Sequence, residues 1–586
     1  MAQPIIPTLP PVPATGAPVD RPRTPRWVDA LMLCLVTAAF YGVIRAAMTW
    51  RAPLSQGTRV VLDYWHLPLY AALSTLRMTL AYIISLVFSI SYAKIAAGSR
   101  AAERFMLPLL DILQSIPILS FMPPLVLALA ALFPGRTLGL ELAAILLIFT
   151  SQAWNLAFGF HQSLLTIPRE LGEAAQVYQL GPWRRFTRLE LPFGAISLIA
   201  NSMMSWAGGW FFLMAAEEFS MGPDKNFELP GLGSYLKEAT DAGNTGAFVV
   251  ALITLVVIIV CLDLVVWRPL VAWSDRFKIE QSGAGDVPQS AVLDALEGSA
   301  LVEWLSTRVF IPTGRALDRV LGRPRTPRTR VESDETTGWR RYTPWLWLIV
   351  ILAGVVWGAA ASIRAVAGLG GAEWGQIAAG AGATFLRTIV ALILATAWTV
   401  PVGVWIGMNP RWAHRAQPIV QVIASVPATA VFPLLYTALL GLPGGLSMAA
   451  VLLMLLGTQW YLLFNVIAGA MSIPSDLREA ASTYGVTGWR RWRTLILPAI
   501  FPYLVTGMLT ATGGAWNASV VSELISINHK TYSTVGLGSL ITMAADQQNF
   551  ALLLASTLVM AAIVIIGNRL VWRRLYGLAA TRYRLD

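Results

Sequence analysis

Reactive side chains are scarce in this chain of 586 residues, which has two cysteines and four histidines. Cys34 and Cys261 lie inside apolar runs with no motif spacing between them, which reads as packing rather than a disulfide framework or a thiolate site. His66, His161, His414 and His529 are scattered, so no metal site is expected. The lysines are Lys94, Lys225, Lys237, Lys278 and Lys530, and none follows a glycine. That excludes the Gly-x-x-x-x-Gly-Lys-Ser/Thr loop that cradles nucleotide phosphates. No grouping of residues points to covalent or metal catalysis, and no cofactor is expected in this chain. Charge is scarce too: 13% of residues are charged against 56% hydrophobic, with a mean hydropathy of +0.61, which excludes a soluble domain of this length. Residues 1–26 hold eight prolines and no apolar leader, so no signal peptide is expected and the first span stays in the protein.

What the chain has in abundance is apolar sequence. Runs long enough to cross a bilayer, about 20 residues each, fall near 28–49, 70–95, 104–133, 139–163, 193–218, 247–267, 344–362, 378–406, 413–440, 447–470, 499–525 and 549–572. The expectation is an all-α polytopic membrane protein of two six-helix halves, about 12 transmembrane helices. The net charge of +11 does not indicate nucleic acid, because the basic residues cluster at alternate span ends. Arg21, Arg23 and Arg26 precede the first span, Lys94, Arg100 and Arg104 lie between the second and third, and Arg411 and Arg415 hold the matching place later. Arg573 and Arg574 follow the last, while Arg51 and Arg59 run against the pattern. Read as positive-inside, this puts both termini in the cytoplasm.

The chain divides into a disordered N-terminus (1–27), an extra helix and outer loop (28–69) and a first unit (70–273). A cytoplasmic linker (274–342), a second extra helix with its loop (343–377), a second unit (378–574) and a tail (575–586) follow. Arg21-Pro22-Arg23-Thr24-Pro25-Arg26 recurs as Arg323 to Arg328, an echo of duplication or a low-complexity coincidence. The units repeat in register: Leu76-Arg77 with Leu386-Arg387 and Ser115-Ile116-Pro117 with Ser425-Val426-Pro427 at a spacing of 310. Trp210 matches Trp516 and Glu217 matches Glu523 at 306, and Gly231-Leu232-Gly233-Ser234 matches Gly536-Leu537-Gly538-Ser539 at 305. An even number of spans between copies makes the repeat parallel, with a central pathway between the halves as the natural arrangement.

Between the fourth and fifth spans of each unit stands a polar, basic island. The first, Pro168 to Pro192, carries Glu173-Ala174-Ala175 and then Trp183-Arg184-Arg185. The second, Pro474 to Pro498, carries Glu479-Ala480-Ala481, Gly485 and Trp489-Arg490-Arg491. Small alanines let a partner surface approach, and acidic residues near the helix start suit its dipole. A glycine permits a sharp bend before the Trp-Arg-Arg helix.

The pattern Glu-Ala-Ala, three residues, Gly, nine residues, a branched apolar residue, one residue, Leu-Pro runs in full from Glu479 to Pro498. It resembles the coupling loop of type I ABC importer permeases. The first copy departs once, with Gln179 in the glycine place, which questions how that loop bends and docks. Ser-x-Pro, Pro123 with Pro433, and Gly-Leu-Gly after each fifth span are most similar to the nitrate, sulfonate and taurine branch. The resemblance covers 70–267 and 378–572. It implies a pore subunit of a bacterial inner membrane, without an ATPase site of its own. Two cytoplasmic ATPase subunits would dock on the loops at Glu173, Ala174, Ala175, Trp183 and Arg184 and at Glu479, Ala480, Ala481, Gly485, Trp489 and Arg490. They would supply the ATP-Mg, and an extracytoplasmic substrate-binding protein would deliver a small solute.

Polar and proline positions inside spans are the pathway candidates: Ser115, Pro117, Ser425 and Pro427 in the third spans, and Trp210, Trp516, Asn517 and Ser519 in the fifth. A kink made only for packing is the equal alternative. Gly208 to Met214 is aromatic where Gly514 to Val520 is hydrogen-bonding, which would suit an organic solute with a polar group, against core or lipid-facing packing of the first stretch. Glu217 and Glu523 are expected near the outer surface as a gate, a docking contact or ordinary interfacial acids. Arg77 and Arg387 are there to pair with them or attract an anion. The alternatives for the whole chain are a fused permease for ferric iron or thiamine, an ion-coupled secondary carrier, or a membrane scaffold.

Overall fold

A computed structural model describes residues 60–218 apart from 135, 229–277, 290–321, 353, 357, 358, 360–527 and 530–582. The span expected at 28–49 and most of that at 344–362 lie outside these. Among the described residues two compact units emerge, one of 168–196 with 264–277 and 290–321, the other of 60–167, 197–263 and those from 353 onward.

In the first half, α1 (Leu67–Gly98) is followed by α2 (Arg100–Ser115), α3 (Met122–Leu132) and α4 (Leu138–Leu165). Then come α5 (Arg169–Val177) and α6 (Pro182–Arg185), which continues through a π turn at Phe186–Glu190 into α7 (Leu191–Glu218). Helices α8 (Leu232–Asp241) and α9 (Thr245–Leu262) follow, the latter extended by α10 (Arg268–Ser274). The linker holds α11 (Ala291–Gly298), α12 (Ala300–Leu305) and α13 (Ile311–Leu321).

The second half repeats the series: α14 (Gly371–Gly407), α15 (Pro410–Ser425), α16 (Ala428–Leu439), α17 (Gly445–Met471), α18 (Ser475–Thr483) and α19 (Gly488–Arg491). Another π turn, Trp492–Ile496, leads into α20 (Leu497–Ser522). After an antiparallel hairpin, β1 (Leu524–Ile527) with β2 (Lys530–Ser533), come α21 (Leu537–Asp546), α22 (Phe550–Gly567) and α23 (Arg573–Arg582).

Seven helices among the described residues are long and apolar enough to cross a membrane, eight if a bent pair is one span. The expected third spans are not continuous. Residues 104–133 divide at Ile116 and Pro117 into α2 and α3, and α15 and α16 are bent by 73° at Val426-Pro427. Proline donates no hydrogen bond, so the chain goes extended there, with ψ of 120° at Pro117 and 132° at Pro427. The break restarts at once, because the Pro117 and Pro427 carbonyls accept from the Ser120 and Ala430 amides.

These restarts pack across the repeat. One apolar cluster joins Leu119, Met122 and Leu147 of the first half to Trp516, Val520, Leu537 and Ile541 of the second. The Leu119 amide donates to Asn517 Oδ1 at 3.3 Å, tying the first break to α20.

Candidate functional site: a cavity between broken spans, two buried ion clusters and two exposed loops

A cavity of about 390 Å³ lies between the halves, within the size range of small-molecule sites. From the first half its wall includes Gln114, Trp154, Asn155, Phe211 and Phe212; the second contributes Gln421, Pro427, Trp460, Tyr461, Trp516 and Asn517. No residue of this lining carries a formal charge. The Trp154 indole N–H and the Thr388 hydroxyl, both on the wall, have no hydrogen-bond partner among the described residues.

Three pathway candidates, Pro427, Trp516 and Asn517, meet in this cavity. Four others do not line it. Trp210 is fully buried, its indole N–H without a partner among the described residues; Ser519 is also buried and its hydroxyl donates to the Trp516 carbonyl at 2.8 Å. Ser425 donates back along its own helix to Gln421, and Pro117 is buried at the break. The Ser115 side chain lies outside what the structure describes. The aromatic wall is therefore Phe211 and Phe212, one and two residues after the tryptophan singled out. Trp154 and Trp460 were missed, although they recur at the same spacing of 306 within polar stretches of the fourth spans.

The four outer-face candidates form two clusters, and the expectation of interfacial acids is corrected: Glu217 and Glu523 are completely buried. In the first, Arg77 Nη1 donates to Glu217 Oε1 at 2.6 Å, and its Nη2 donates to Glu141 Oε1 and to the Pro230 carbonyl. The Ser74 hydroxyl donates to Glu217 and accepts from the Leu232 amide. The Gly233 amide, in the first turn of α8, donates to Glu217 Oε2 at 2.8 Å. In the second, Arg387 donates to Glu523 at 2.8 Å, Thr384 takes the part of Ser74, and the Gly538 amide takes the part of Gly233. Where the first cluster has Glu141, the second has Ser447, which accepts from Arg387 Nη2 at 3.2 Å. Pairing of Arg77 and Arg387 with the two acids, expected from the sequence, is what the structure has. With its donors committed and 1% of it exposed, Arg77 is not available to a passing anion.

These clusters explain the Gly-Leu-Gly-Ser repeat. A Cβ on Gly231 would stand 2.2 Å from the Glu217 carboxyl carbon, and one on Gly536 would stand 2.0 Å from Glu523 Oε2. Glycine lets each helix N-terminus, with its free amides and positive dipole end, close on a carboxylate. The serine completes the turn: Ser234 accepts from the Gly231 amide, and its hydroxyl donates to the Leu229 carbonyl.

The two Glu-Ala-Ala helices, α5 and α18, end identically. The Leu180 amide donates to the Ala175 carbonyl at 3.0 Å, as the Val486 amide does to Ala481 at 2.8 Å. This six-residue closure needs a left-handed residue one place earlier. Gly485 supplies it with φ of 63°, and Gln179 adopts it too, with φ of 49°. The Gln179 departure therefore leaves the bend unchanged. Glu173, Glu479 and Ala480 are exposed, Ala174 and Ala481 half-buried, and Ala175 buried. Beside them Val177 and Tyr178, or Leu477, Tyr484 and Trp489, present apolar surface, with Trp489 72% exposed. Arg490 is exposed and Arg184 half-buried. Trp183 differs from Trp489: its Nε1 donates to Asp318 of α13 at 3.0 Å.

Repeated bundles of long apolar helices, broken spans around a cavity, and paired polar loops define a polytopic membrane transport protein. The chain belongs to the family of binding-protein-dependent transport system inner membrane components, whose model matches it twice, over residues 71–267 and 399–584. It is an all-α protein of two parallel-repeated halves and about 12 transmembrane helices. It is 27% identical over 198 residues to a putative ABC transporter permease of Methanocaldococcus jannaschii, covering 32% of this chain and 71% of that protein. It is 28% identical over 197 residues to the taurine transport system permease of Escherichia coli, covering 33% of this chain and 68% of that protein. The match to a nitrate import permease of Leptolyngbya laminosa is 26% over 144 residues, a quarter of this chain and half of that protein.

Proposed function

We propose that this chain is the membrane pore subunit of an ABC importer, both halves fused, which moves a small organic solute with a polar group inward through the cavity between the broken spans. The observation that carries the coupling is the pair of matched loops. Each ends its Glu-Ala-Ala helix in the same left-handed turn and holds apolar side chains out to solvent, where a soluble partner could cover them. Two cytoplasmic ATPase subunits dock there, placing both termini on the same side, and supply the ATP-Mg chemistry for which this chain has no phosphate loop. A binding protein delivers substrate to the other face.

The solute class rests on the lining. A wall of Phe211, Phe212, Trp154, Trp460 and Trp516 with amides from Gln114, Asn155, Gln421 and Asn517 offers stacking and hydrogen bonds but no fixed counter-charge. It favours a compact organic molecule such as a sulfonate over a bare inorganic ion. Relatives named for taurine and nitrate transport are compatible with that choice without deciding it.

The test is co-expression with candidate ATPase subunits, comparing the unaltered chain with Glu173→Lys plus Glu479→Lys. Loss of both co-purification and ATP-driven uptake is the expected outcome; uptake persisting without any ATPase would make the chain an ion-coupled carrier instead. Uptake of taurine, an alkanesulfonate and nitrate by the intact complex then decides the solute class, and uptake of nitrate alone would overturn the organic reading.

A further inference from the structure

The described part of the linker contains one helical arm that the importer reading leaves without a role. Ser299 caps it by accepting from the Val302 amide, and α12, a π turn at Ser306–Phe310 and α13 run on as one helix to Leu321. Pro312 lacks an N–H, and the widened turn lies immediately before it. No residue from Ala300 to Leu321 is buried.

Its sequence is divided lengthwise. Past the π turn, at about 100° per residue, Phe310, Leu317, Val320 and Leu321 share an arc of about 100°, while Arg315 and Arg319 share about 40° on the opposite side, with Ile311 beside them. Phe310 is 63% and Val320 72% exposed. The arm is also tied close to a span: Asp318 accepts from Trp183 Nε1 at 3.0 Å and from Arg188 Nη2 at 3.4 Å. Arg188 stands three residues before Leu191, where α7 begins. Upstream, Arg276, just past the end of the α9–α10 span, pairs with Glu297 of α11 at 2.8 Å. The linker is thus tied at two places, beside the start of α7 and just past the end of the α9–α10 helix.

We propose that residues 299–321 form an interfacial helix, with the arc around Phe310, Leu317 and Val320 seated at the headgroup and acyl boundary. Arg315 and Arg319, with Arg184 and Arg185 of the adjoining loop, meet anionic lipid headgroups. An apolar arc backed by a basic face is the signature of a helix lying in the interface plane, and the polybasic side suits an anionic leaflet. Through Asp318 the arm holds Trp183, so the first Glu-Ala-Ala loop is moored to the bilayer. The second loop's Trp489 has no side-chain hydrogen bond to such an arm among the described residues. The inference needs α7 to be a membrane span and is independent of what the cavity carries or what drives transport.

The test uses the full chain with Cys34→Ser and Cys261→Ser, carrying a single spin-labelled cysteine from Phe310→Cys, Leu317→Cys or Arg315→Cys. Val320→Cys replaces Phe310→Cys if that variant is not monodisperse. Each is reconstituted in phosphatidylcholine nanodiscs, with or without about a third phosphatidylglycerol. Collision rates with oxygen and with a water-soluble nickel chelate report depth. Nickel access at 310 and 317 should be about threefold lower than at 315, with the contrast deepening in anionic discs. Asp318→Asn should leave that contrast in place while raising nickel access at a label introduced by Thr187→Cys, one turn along from the retained Trp183. Equal nickel access at all three positions in both discs would overturn the proposal. So would protection of 310 and 317 that appears only when ATPase subunits are added, which would make the arm a protein-docking surface.

Discussion

The two buried ion clusters share a backbone plan and differ in what surrounds the arginine. Arg77 sits between two carboxylates, Glu141 and Glu217, and is 1% exposed; Arg387 has one carboxylate, Glu523, two hydroxyls from Ser447 and Thr534, and a side chain 11% exposed. Everything that touches backbone is kept: the glycine against the carboxylate, the helix-terminal amide, and the small hydroxyl bridging to that helix. What varies is the arginine's other partners, Glu141 in the first cluster and Ser447 with Thr534 in the second. A duplicated fold thus tolerates charge divergence where a side chain meets only a side chain, and resists it where glycine and amide geometry are involved.

The sharpest way to break this comparison is to remove each cation. Arg77→Ala strands two buried carboxylates and should cost on the order of 3–5 kcal/mol, read as a large fall in melting temperature and in monodisperse yield. Arg387→Ala strands one, beside hydroxyls, and should cost roughly half as much. Equal losses would mean that Glu141 does not burden the first cluster. Glu141→Ser, which copies the second half into the first, should restore part of the stability lost in Arg77→Ala.

Adding a methyl group is the next perturbation. Gly231→Ala and Gly536→Ala each drive a Cβ into a carboxylate that is held by an arginine, a hydroxyl and an amide. Each should cost about 1–3 kcal/mol through overpacking. The two losses should be similar because the geometry is shared, and a twofold difference in the melting-temperature drop would show that the extra carboxylate stiffens the first site.

The cavity offers a third contrast. Asn517 Oδ1 accepts the Leu119 amide at the first break, while the residue in the matching place, Phe211, packs against the cluster around Ala428 and Phe432 at the second. Asn517→Leu leaves a partly buried amide unpaired, at about 1–3 kcal/mol, and should lower uptake together with stability. Trp460→Ala at the wall should lower uptake while changing the melting temperature less.

Much of this was readable beforehand, and the reasons are physical. Repeats at constant spacing exposed the loops and the Arg77–Glu217 and Arg387–Glu523 pairs, because residues that answer each other across a duplicated fold leave two copies of one pattern. Proline marked both broken spans, since it must interrupt the helix, but it did not say that α15 and α16 would be bent by 73°. Glu141 and Ser447 escaped because they do not resemble each other, so the repeat that relates them is silent in the letters. Trp210 and Ser519 were misplaced for another reason: within a helix neighbours one residue apart lie about 100° apart, so a polar or aromatic stretch does not declare which of its members faces the cavity. The burial of Glu217 escaped because the chain-length estimate took no account of the α8 helix end that folds back onto it.

The smallest expected effect separates the two loops. Gln179 holds φ at 49° where Gly485 sits at 63°, and both close the same turn. For a residue with a side chain, that region carries a steric cost of about 1–2 kcal/mol, and glycine avoids it while adding some freedom to the unfolded chain. Gln179→Gly should therefore stabilise the first loop by a few tenths to about 1 kcal/mol, and Gly485→Gln should weaken the second by a similar amount. Because the space around Gly485 is open, any loss there reports backbone strain rather than collision. Hydrogen exchange at the Leu180 and Val486 amides, the donors that close the two turns, reads the change locally: slower at 180 in the first variant, faster at 486 in the second. If Gln179→Gly left exchange at 180 unchanged, the Trp183–Asp318 contact, and not the turn, would be what holds the first loop in shape.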